Sequence, residues 1–359
     1  SSSESGSVPQ VAFGKRLADG MVEAIEKAVD SLQPAQVGFG SGHVPDEVFN
    51  RRWYLQDGTM PLNPFGELDK VKMNPNRNHI VKPAGPTDPE VCIVDVRTLR
   101  NKPLGLLANY ALHYVGAINI GERQVSADYF GEFARIMPWR LRAMSSDNFV
   151  AMLSNGPCAD VNNIDFHGKR APRQPFEQIR IVAAKVADAS WRASRGIGEY
   201  HSDAQVAMLQ REVPLDWRKP SQELVERAKN ILAMSKEEQT KLPRLATNYA
   251  QRTLSQDKRE GKADCLVQAI RIGDQAIVSF PFETFVETGL EIKKKSPFKH
   301  TFVIELANGS YGYLPTPKQH ELGGYETWLG TNKVQKDGSD LLTRNLLEML
   351  NELHSGKDK

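Results

Sequence analysis

A chain of 359 residues has the length for one large domain or two smaller ones, and 46 Lys and Arg against 44 Asp and Glu leave a net charge of only +2, so charge points to neither nucleic acid nor an anionic membrane. No apolar run approaches the roughly 20 residues that span a bilayer, and the three widely spaced cysteines, Cys92, Cys158 and Cys265, form neither a disulfide framework nor a C-x-x-C metal knuckle and read as small apolar core residues. The opening S-S-S-E-S-G-S has no basic n-region and no apolar h-region, and reads as a loop.

Leu17, Met21, Ile25, Val29 and Leu32 recur at helical spacing and stop at Pro34, which predicts an amphipathic helix over 10–33. A short strand follows from Gln36 to Phe39. Residues 44–90, rich in Asn, Pro, Arg and Gly, have no clean period and read as a long irregular stretch of the kind that lines sites. Strand patterns appear in V-C-I-V-D-V and L-G-L-L-A-N-Y-A-L-H, then a helix near 128–143 with Phe130, Phe133, Ile136 and Met137 on one face, then the strand F-V-A-M-L. Ile179, Val182, Val186 and Ala189 mark another helix. Residues 203–262 are charged and helix-prone, with a capping box at Ser235 to Glu238, and predict a helical excursion on the surface. Strands return at C-L-V-Q-A-I-R-I, Q-A-I-V-S-F and T-F-V-I-E-L, with Asp274 in the hairpin turn between the first two, and a helix over about 340–353 closes the chain. Alternation of this kind predicts an α/β fold, mixed β-sheets layered with helices, and no internal repeat is visible.

Several residues carry potential chemistry. His113, Glu283 and Tyr313 each follow an apolar, strand-like run, and a strand that ends in such a side chain delivers it to the rim of a sheet, where several can converge on one ion. Each also has a plainer reading: His113 as a hydrogen-bonded core residue, Glu283 as a partner of a helix dipole, and Tyr311 with Tyr313 as period-two packing on one side of an extended segment. The loop C-A-D-V-N-N-I-D, from Cys158 to Asp165, is either the mouth of a site or an Asx-rich turn. Arg51 and Arg52 read as an anion clamp or as a charged loop face.

Taken in order, F-N-R-R at 49–52, A-L-H-Y-V-G at 111–116, V-S-A-D-Y-F-G at 125–131, S-N-G-P-C-A-D-V-N-N at 154–163, F-P-F-E-T at 280–284, S-Y-G-Y-L-P-T at 310–316 and G-G-Y-E-T at 323–327 resemble the neutral (alkaline, non-lysosomal) ceramidase family over about residues 10–335. The resemblance implies a zinc amidase with an α/β catalytic domain, whose ion is held by two His, one Glu and one Tyr. By position His113 matches the second His, Glu283 the Glu and Tyr313 the Tyr, while Arg51 matches the arginine of the family's N-R-S string and Tyr325 the tyrosine of its Y-E string. It further implies an N-acyl sphingosine-like lipid substrate and a secreted or periplasmic setting.

Two departures accompany the match. The family's first zinc His lies in an H-T-H-S-like string ahead of the helix expected at 10–33, and no H-x-H occurs in this sequence. The expectation is therefore one catalytic domain over 1–359, truncated at its N-terminus, with that His upstream of Ser1, and without the family's C-terminal domain. In the family's G-D-V-S-P-N loop the serine is associated with catalysis; here Asn162 stands in its position, and an amide is no nucleophile but can hydrogen-bond a carbonyl or a developing oxyanion. The resulting expectation is amide hydrolysis by zinc-activated water, with Tyr313 binding zinc or donating a proton, and Asn162 and Arg51 orienting the acyl or head group. The alternative is a non-catalytic ligand- or carbohydrate-binding protein that retains the fold.

Overall fold

Two four-stranded sheets of one plan carry the architecture of this chain, for which a computed structural model describes residues 8–115, 124–145, 149–168, 171 and 173–356. The Ser-rich opening and Gly116 of A-L-H-Y-V-G lie outside the described residues. In the first sheet Ala35–His43, Glu90–Thr98, Pro103–Tyr110 and Val150–Asn155 lie in that order, with two antiparallel junctions and then a parallel one. In the second sheet Val206–Asp216, Lys262–Ile272, Gln275–Ser279 and His300–Ile304 repeat both the order and the directions. A helix makes each crossover to the parallel fourth strand, Asp128–Arg140 in one half and Val286–Lys295 in the other. A further helix follows in each half, Glu177–Arg195 and Gly338–His354.

Period-two alternation decides how these elements stack. Val91 and Ile93 face outward onto Phe133, Met137, Val182 and Val186 of the first pair of helices. Cys92 and Val94, on the opposite face, meet Ile277 and Phe302 of the second sheet. Ala276 and Val278 turn away from that seam toward Ile292, Leu342 and Leu346. The order of layers is thus helix, sheet, sheet, helix, an α/β fold with mixed sheets as the sequence predicts. Because both faces of each sheet are covered, strands such as V-C-I-V read as continuous apolar runs.

The glycines of G-F-G-S-G have a packing reason. Gly38, Gly40 and Gly42 alternate onto one face of the first strand, where a Cβ would meet Ile197 and Tyr200, Ala193 O, and Ala189 O respectively. Their bareness lets the helix Glu177–Arg195 and its C-terminal continuation lie close on the strand.

Three expectations change. The strand expected from Gln36 to Phe39 runs over Ala35–His43. The excursion expected over 203–262 is not helical throughout: Val206–Asp216 is an edge strand of the second sheet, and helices occupy only Gln222–Ala233, Lys236–Thr240 and Ala246–Asp257. Pairing along Lys262–Ile272 overrides the charged composition of that stretch, because alternate residues such as Val213 and Leu215 reach the core while their neighbours stay in water. The Ser235 and Glu238 capping box is present. The helix expected over 10–33 spans Val8–Asp30, yet Phe13, Leu17, Met21, Ile25 and Val29 of its apolar face are all exposed. Among the described residues no helix is long and apolar enough to cross a membrane.

The close approach at Gly42 gives a direct test of this packing, since a Cβ there would lie 2.9 Å from Ala189 O and 3.2 Å from Ala189 Cβ. Gly42→Val is expected to lower unfolding free energy by about 1–3 kcal/mol in urea titrations. Gly198→Ala, where a Cβ meets nothing within 4 Å, should change it by about 0.5 kcal/mol or less.

Candidate active site

The third strand of each half releases the chain toward one seam between the sheets. His113 follows the end of Pro103–Tyr110, and Glu283 follows the end of Gln275–Ser279. The fourth strands meet at the same seam. Glu305 N donates to Asn155 O at 3.0 Å, Asn155 Nδ2 donates to Glu305 Oε1 at 3.0 Å, and Asn109 Nδ2 donates to Val303 O at 3.0 Å. Polar side chains at strand ends thus lace the two halves where the apolar core between them stops.

A buried ion cluster forms one wall. Arg51 Nε donates to Glu326 Oε1 at 2.9 Å and Arg52 Nη1 to Glu326 Oε2 at 2.6 Å, so one carboxylate serves two guanidinium groups. Of the other Arg52 donors, Nη2 reaches Gly323 O at 2.7 Å and Nε reaches Gln319 Oε1 at 3.3 Å. Burial alone would raise the Glu326 carboxyl, but Arg52 and Arg51 outweigh it and hold the group below its ordinary value. Arg51 Nη2 also donates to the Tyr313 hydroxyl at 3.2 Å, and the guanidinium lies 5.6 Å from the centre of that ring.

Tyr313 and Glu283 face each other as a parallel strand pair, Glu283–Thr284 against Tyr313–Leu314. Burial is the largest influence on the Tyr313 phenol and raises it; the charge of Arg51 opposes, and the nearby charge of Glu283 adds to the rise. The phenol is therefore a held proton at neutral pH. Glu283 Oε2 is buried and has no hydrogen-bond partner. A cavity of about 270 Å³ is lined by Arg51, Met73, Asn74, His113, Asn162, Tyr313 and Tyr325 among others. Burial, then the charge of Arg51, lower His113 to a pKa of about 4, so its imidazole is neutral and a lone pair is available.

The structure thus brings His113, Arg51, Asn162, Tyr313 and Tyr325 to one cavity, with Glu283 in strand register with the Tyr313 that lines it. The Tyr325 ring stands edge-on to Tyr313 at 5.7 Å. Asn162 is partly engaged: its Nδ2 donates to Asn74 Oδ1 at 2.7 Å, and its Oδ1 accepts from Ile164 N at 3.0 Å in an Asx turn. That leaves one amide N–H without a partner. Arg51 and Arg52 are not an open anion clamp, since both are already engaged by Glu326. Tyr311 and Tyr313 do not share a side. Gly312 lies between them at φ +92°, where a Cβ would come within 2.6 Å of Thr331 O, and this break in extended backbone sends Tyr311 to Phe282 and to Asp264 O instead. Asp160 is buried away from the cavity, with Oδ1 accepting from Val286 N and Oδ2 from Asn50 Nδ2, both at 2.9 Å. Asp165 makes an Asx turn with His167 N.

Sequence reasoning passed over three residues here. Glu326 lay inside G-G-Y-E-T beside the tyrosine singled out. Glu305 lies in T-F-V-I-E-L, where a glutamate after three apolar residues is its only signal. Cys158, taken as a small apolar residue, is buried as expected, yet its Sγ donates to Glu305 Oε1 at 2.9 Å and lies 3.8 Å from His113 Nδ1. Burial, then Glu305, raise this thiol well above its usual value, so it is no ready nucleophile.

No described group of three or more His, Cys, Asp and Glu side chains is arranged to hold a metal ion. With tyrosine counted, the donors at hand are the His113 imidazole, the Glu283 carboxylate and the Tyr313 phenol. Nitrogen and oxygen donors of this kind suit zinc, and the orphaned Glu283 Oε2 is the buried polar atom that a cation would satisfy.

No family model matches this chain, and neither does any curated protein. Among solved structures, neutral ceramidase from Pseudomonas aeruginosa aligns with a TM-score of 0.65 at 15% sequence identity, over 94% of this chain and 55% of that one. A ceramidase complexed with C2 aligns with a TM-score of 0.63 at 14% identity, over 94% of this chain and 56% of that one. This chain shares their fold and spans about half of their length.

Removing the Glu326 charge leaves two guanidinium groups buried without a counter-ion. Glu326→Gln is expected to cost about 3–5 kcal/mol of unfolding free energy at pH 7. Its carboxyl is depressed in the folded state, so its contribution is fully present above the ordinary value of 4.5 and is lost as pH falls through the lower folded value. The gap between wild type and variant in urea unfolding should accordingly narrow at acid pH.

Proposed function

We propose that this chain is a zinc-dependent hydrolase that cleaves an amide bond in a small or lipid-like substrate, with His113, Glu283 and Tyr313 as the residues that would hold the ion. The observation that carries this reading is the buried, unpartnered Glu283 Oε2, on a residue in strand register with Tyr313 at the cavity that His113 also lines. The ceramidase-like fold supports amide hydrolysis over other reactions, and the substrate drawn from that likeness is an N-acyl sphingosine-like lipid. An extracytoplasmic setting, secreted or periplasmic, belongs to the same reading.

Bound zinc supplies a Lewis acid for the scissile carbonyl and lowers the pKa of water to about 7. The side chains of the chain do the rest. His113, neutral at working pH, offers its lone pair without first losing a proton. Tyr313 either completes the donor set or, keeping its proton, gives it up as charge builds on the carbonyl oxygen or the leaving nitrogen. Arg51, fixed by Glu326, orients that phenol and holds positive charge beside it. The remaining N–H of Asn162 is available to the acyl carbonyl, and this role needs no serine at the position.

Purified protein is expected to carry about one zinc per chain by elemental analysis, to hydrolyse N-acyl amides, and to lose and regain activity with chelation and zinc. Glu283→Ala and His113→Ala should each lose most of the metal while keeping the wild-type circular dichroism. Unchanged zinc stoichiometry in Glu283→Ala would remove this residue from the ligand set and the proposal with it. The engagement of Asn162 with Asn74 favours a second reading, a binding protein that retains the fold; full zinc occupancy with no turnover of any N-acyl amide would select it.

A further inference from the structure

We propose that the large cavity adjoining the candidate active site binds the apolar body of an anionic amphiphile, an alkyl or acyl chain that bears a carboxylate, sulfate or phosphate, with Lys72 and Arg244 receiving the anion. As a statement about substrate this rests on the hydrolase reading, the amide lying in the smaller cavity and the anionic, apolar remainder in the larger. As a statement about binding it stands on the following observations alone.

The cavity has a volume of about 830 Å³, within the roughly 300–1,000 Å³ range of small-molecule sites. Met60, Leu62, Val71, Met73, Leu242 and Trp328 supply much of its wall. Leu62 and Leu245 form an apolar lip, 52% and 39% exposed, and Leu245 holds a left-handed φ of +67°, a conformation that a bulky residue adopts only under constraint. Met73 and Tyr325 line both this cavity and the one at His113, so the two adjoin.

The charge on the wall is unbalanced. Lys72, Lys241, Arg244 and Asp69 are the ionic residues that line it. Asp69 is already used, accepting from Asn63 Nδ2 at 3.2 Å and from Trp328 Nε1 at 2.8 Å. Lys241 lies 4.0 Å from Glu237. Lys72 and Arg244 have no hydrogen-bond or ion-pair partner among the described residues, and Lys72 is half-buried. Burial, then the charge of the exposed Arg244, lower the Lys72 ammonium. The buried Arg51 and Arg52, by contrast, share Glu326, and Lys293 is paired with both Asp88 and Glu90. An apolar cavity with two unneutralised cations on its wall has the complement of an amphiphilic anion.

The test is calorimetric titration of the full chain, freed of zinc so that the amide probe is not cleaved and no carboxylate can bind the metal, with dodecanoate and with its uncharged counterpart N-methyl dodecanamide, both below their aggregation limits. Dodecanoate is expected to bind about tenfold more tightly than the amide, corresponding to one charge-assisted contact, and to weaken as salt rises. Lys72→Met and Arg244→Gln should each weaken dodecanoate about fivefold or more and leave the amide unchanged. Neither residue has a folded-state partner to lose, and circular dichroism checks each variant. Equal affinity for the two probes, or wild-type dodecanoate binding in the Lys72→Met, Arg244→Gln double variant, would overturn the inference. Selective binding in a protein that neither takes up zinc nor shows turnover would keep it while the hydrolase reading falls; hydrolysis without charge-selective binding would do the reverse.

Discussion

One carboxylate shared by two adjacent guanidinium groups fixes the candidate site. Glu326 is fully buried, as is Arg52, and Arg51 nearly so, an arrangement that is costly to form and more costly to break. Adjacent residues on a regular strand point to opposite faces, so Arg51 and Arg52 reach one partner only because the backbone breaks between them. Phe49–Asn50 pairs with Val161–Asn162, Arg52–Leu55 pairs with a different set of strands, and Asn50 Oδ1 accepts from Arg52 N at 3.0 Å across the break. The irregular stretch 44–90 is thereby tied to 313–328, and Tyr313 is drawn into the cluster. Two positive charges against one negative leave a surplus at the Tyr313 edge. The Arg51 charge adds to burial in keeping His113 unprotonated.

The duplicated plan of the sheets explains why side chains so distant in sequence share a site. His113 and Glu283 follow the third strand of their respective halves; Cys158 and Glu305 follow the fourth. With the inner faces of the two sheets packed on one another through Val94, Ile277 and Phe302, corresponding strand ends open onto one edge of the seam. The apolar core sets this convergence, and the polar residues use it. Strand ends are where backbone groups run out of ladder partners, so a polar side chain there has acceptors and donors within reach that an interior position lacks.

Much of this was legible in the chain because burial on both faces of a strand leaves a continuous apolar run, and such runs end visibly at His113, Glu283 and Tyr313. The layered α/β class follows from the same pattern. The duplication was not legible, since it resides in strand direction and order and not in residue identity. Nor was the strand Val206–Asp216, whose outward residues are charged and whose composition reads as helix until it pairs with Lys262–Ile272. The direction of Tyr311 depended on the backbone of Gly312, which a period-two argument treats as extended. Resemblance supplied what spacing does not: it singled out Tyr313 over Tyr311 and drew attention to Arg51, although the partner that gives Arg51 its place, Glu326, required the fold.

Two glutamates stand at the seam, and the way each is satisfied separates their roles. Glu305 accepts from donors of both halves: Asn155 Nδ2 and Cys158 Sγ on Oε1, Thr284 N and Cys158 N on Oε2. Every lone-pair direction of consequence is taken, and burial still pushes its carboxyl up to about 8, so it acts as a latch between the fourth strands and has little left to offer a ligand. Glu283, by contrast, stands in strand register with Tyr313 and keeps Oε2 buried and unpartnered. An unmet acceptor in such a place costs stability, on the order of 1–3 kcal/mol, and a fold that satisfies Glu305 so completely at the same seam has the means to avoid that cost. Its retention at Glu283, beside a neutral imidazole and a protonated phenol on the same cavity, is the physical reason for proposing this glutamate as a metal ligand and giving the other an architectural role.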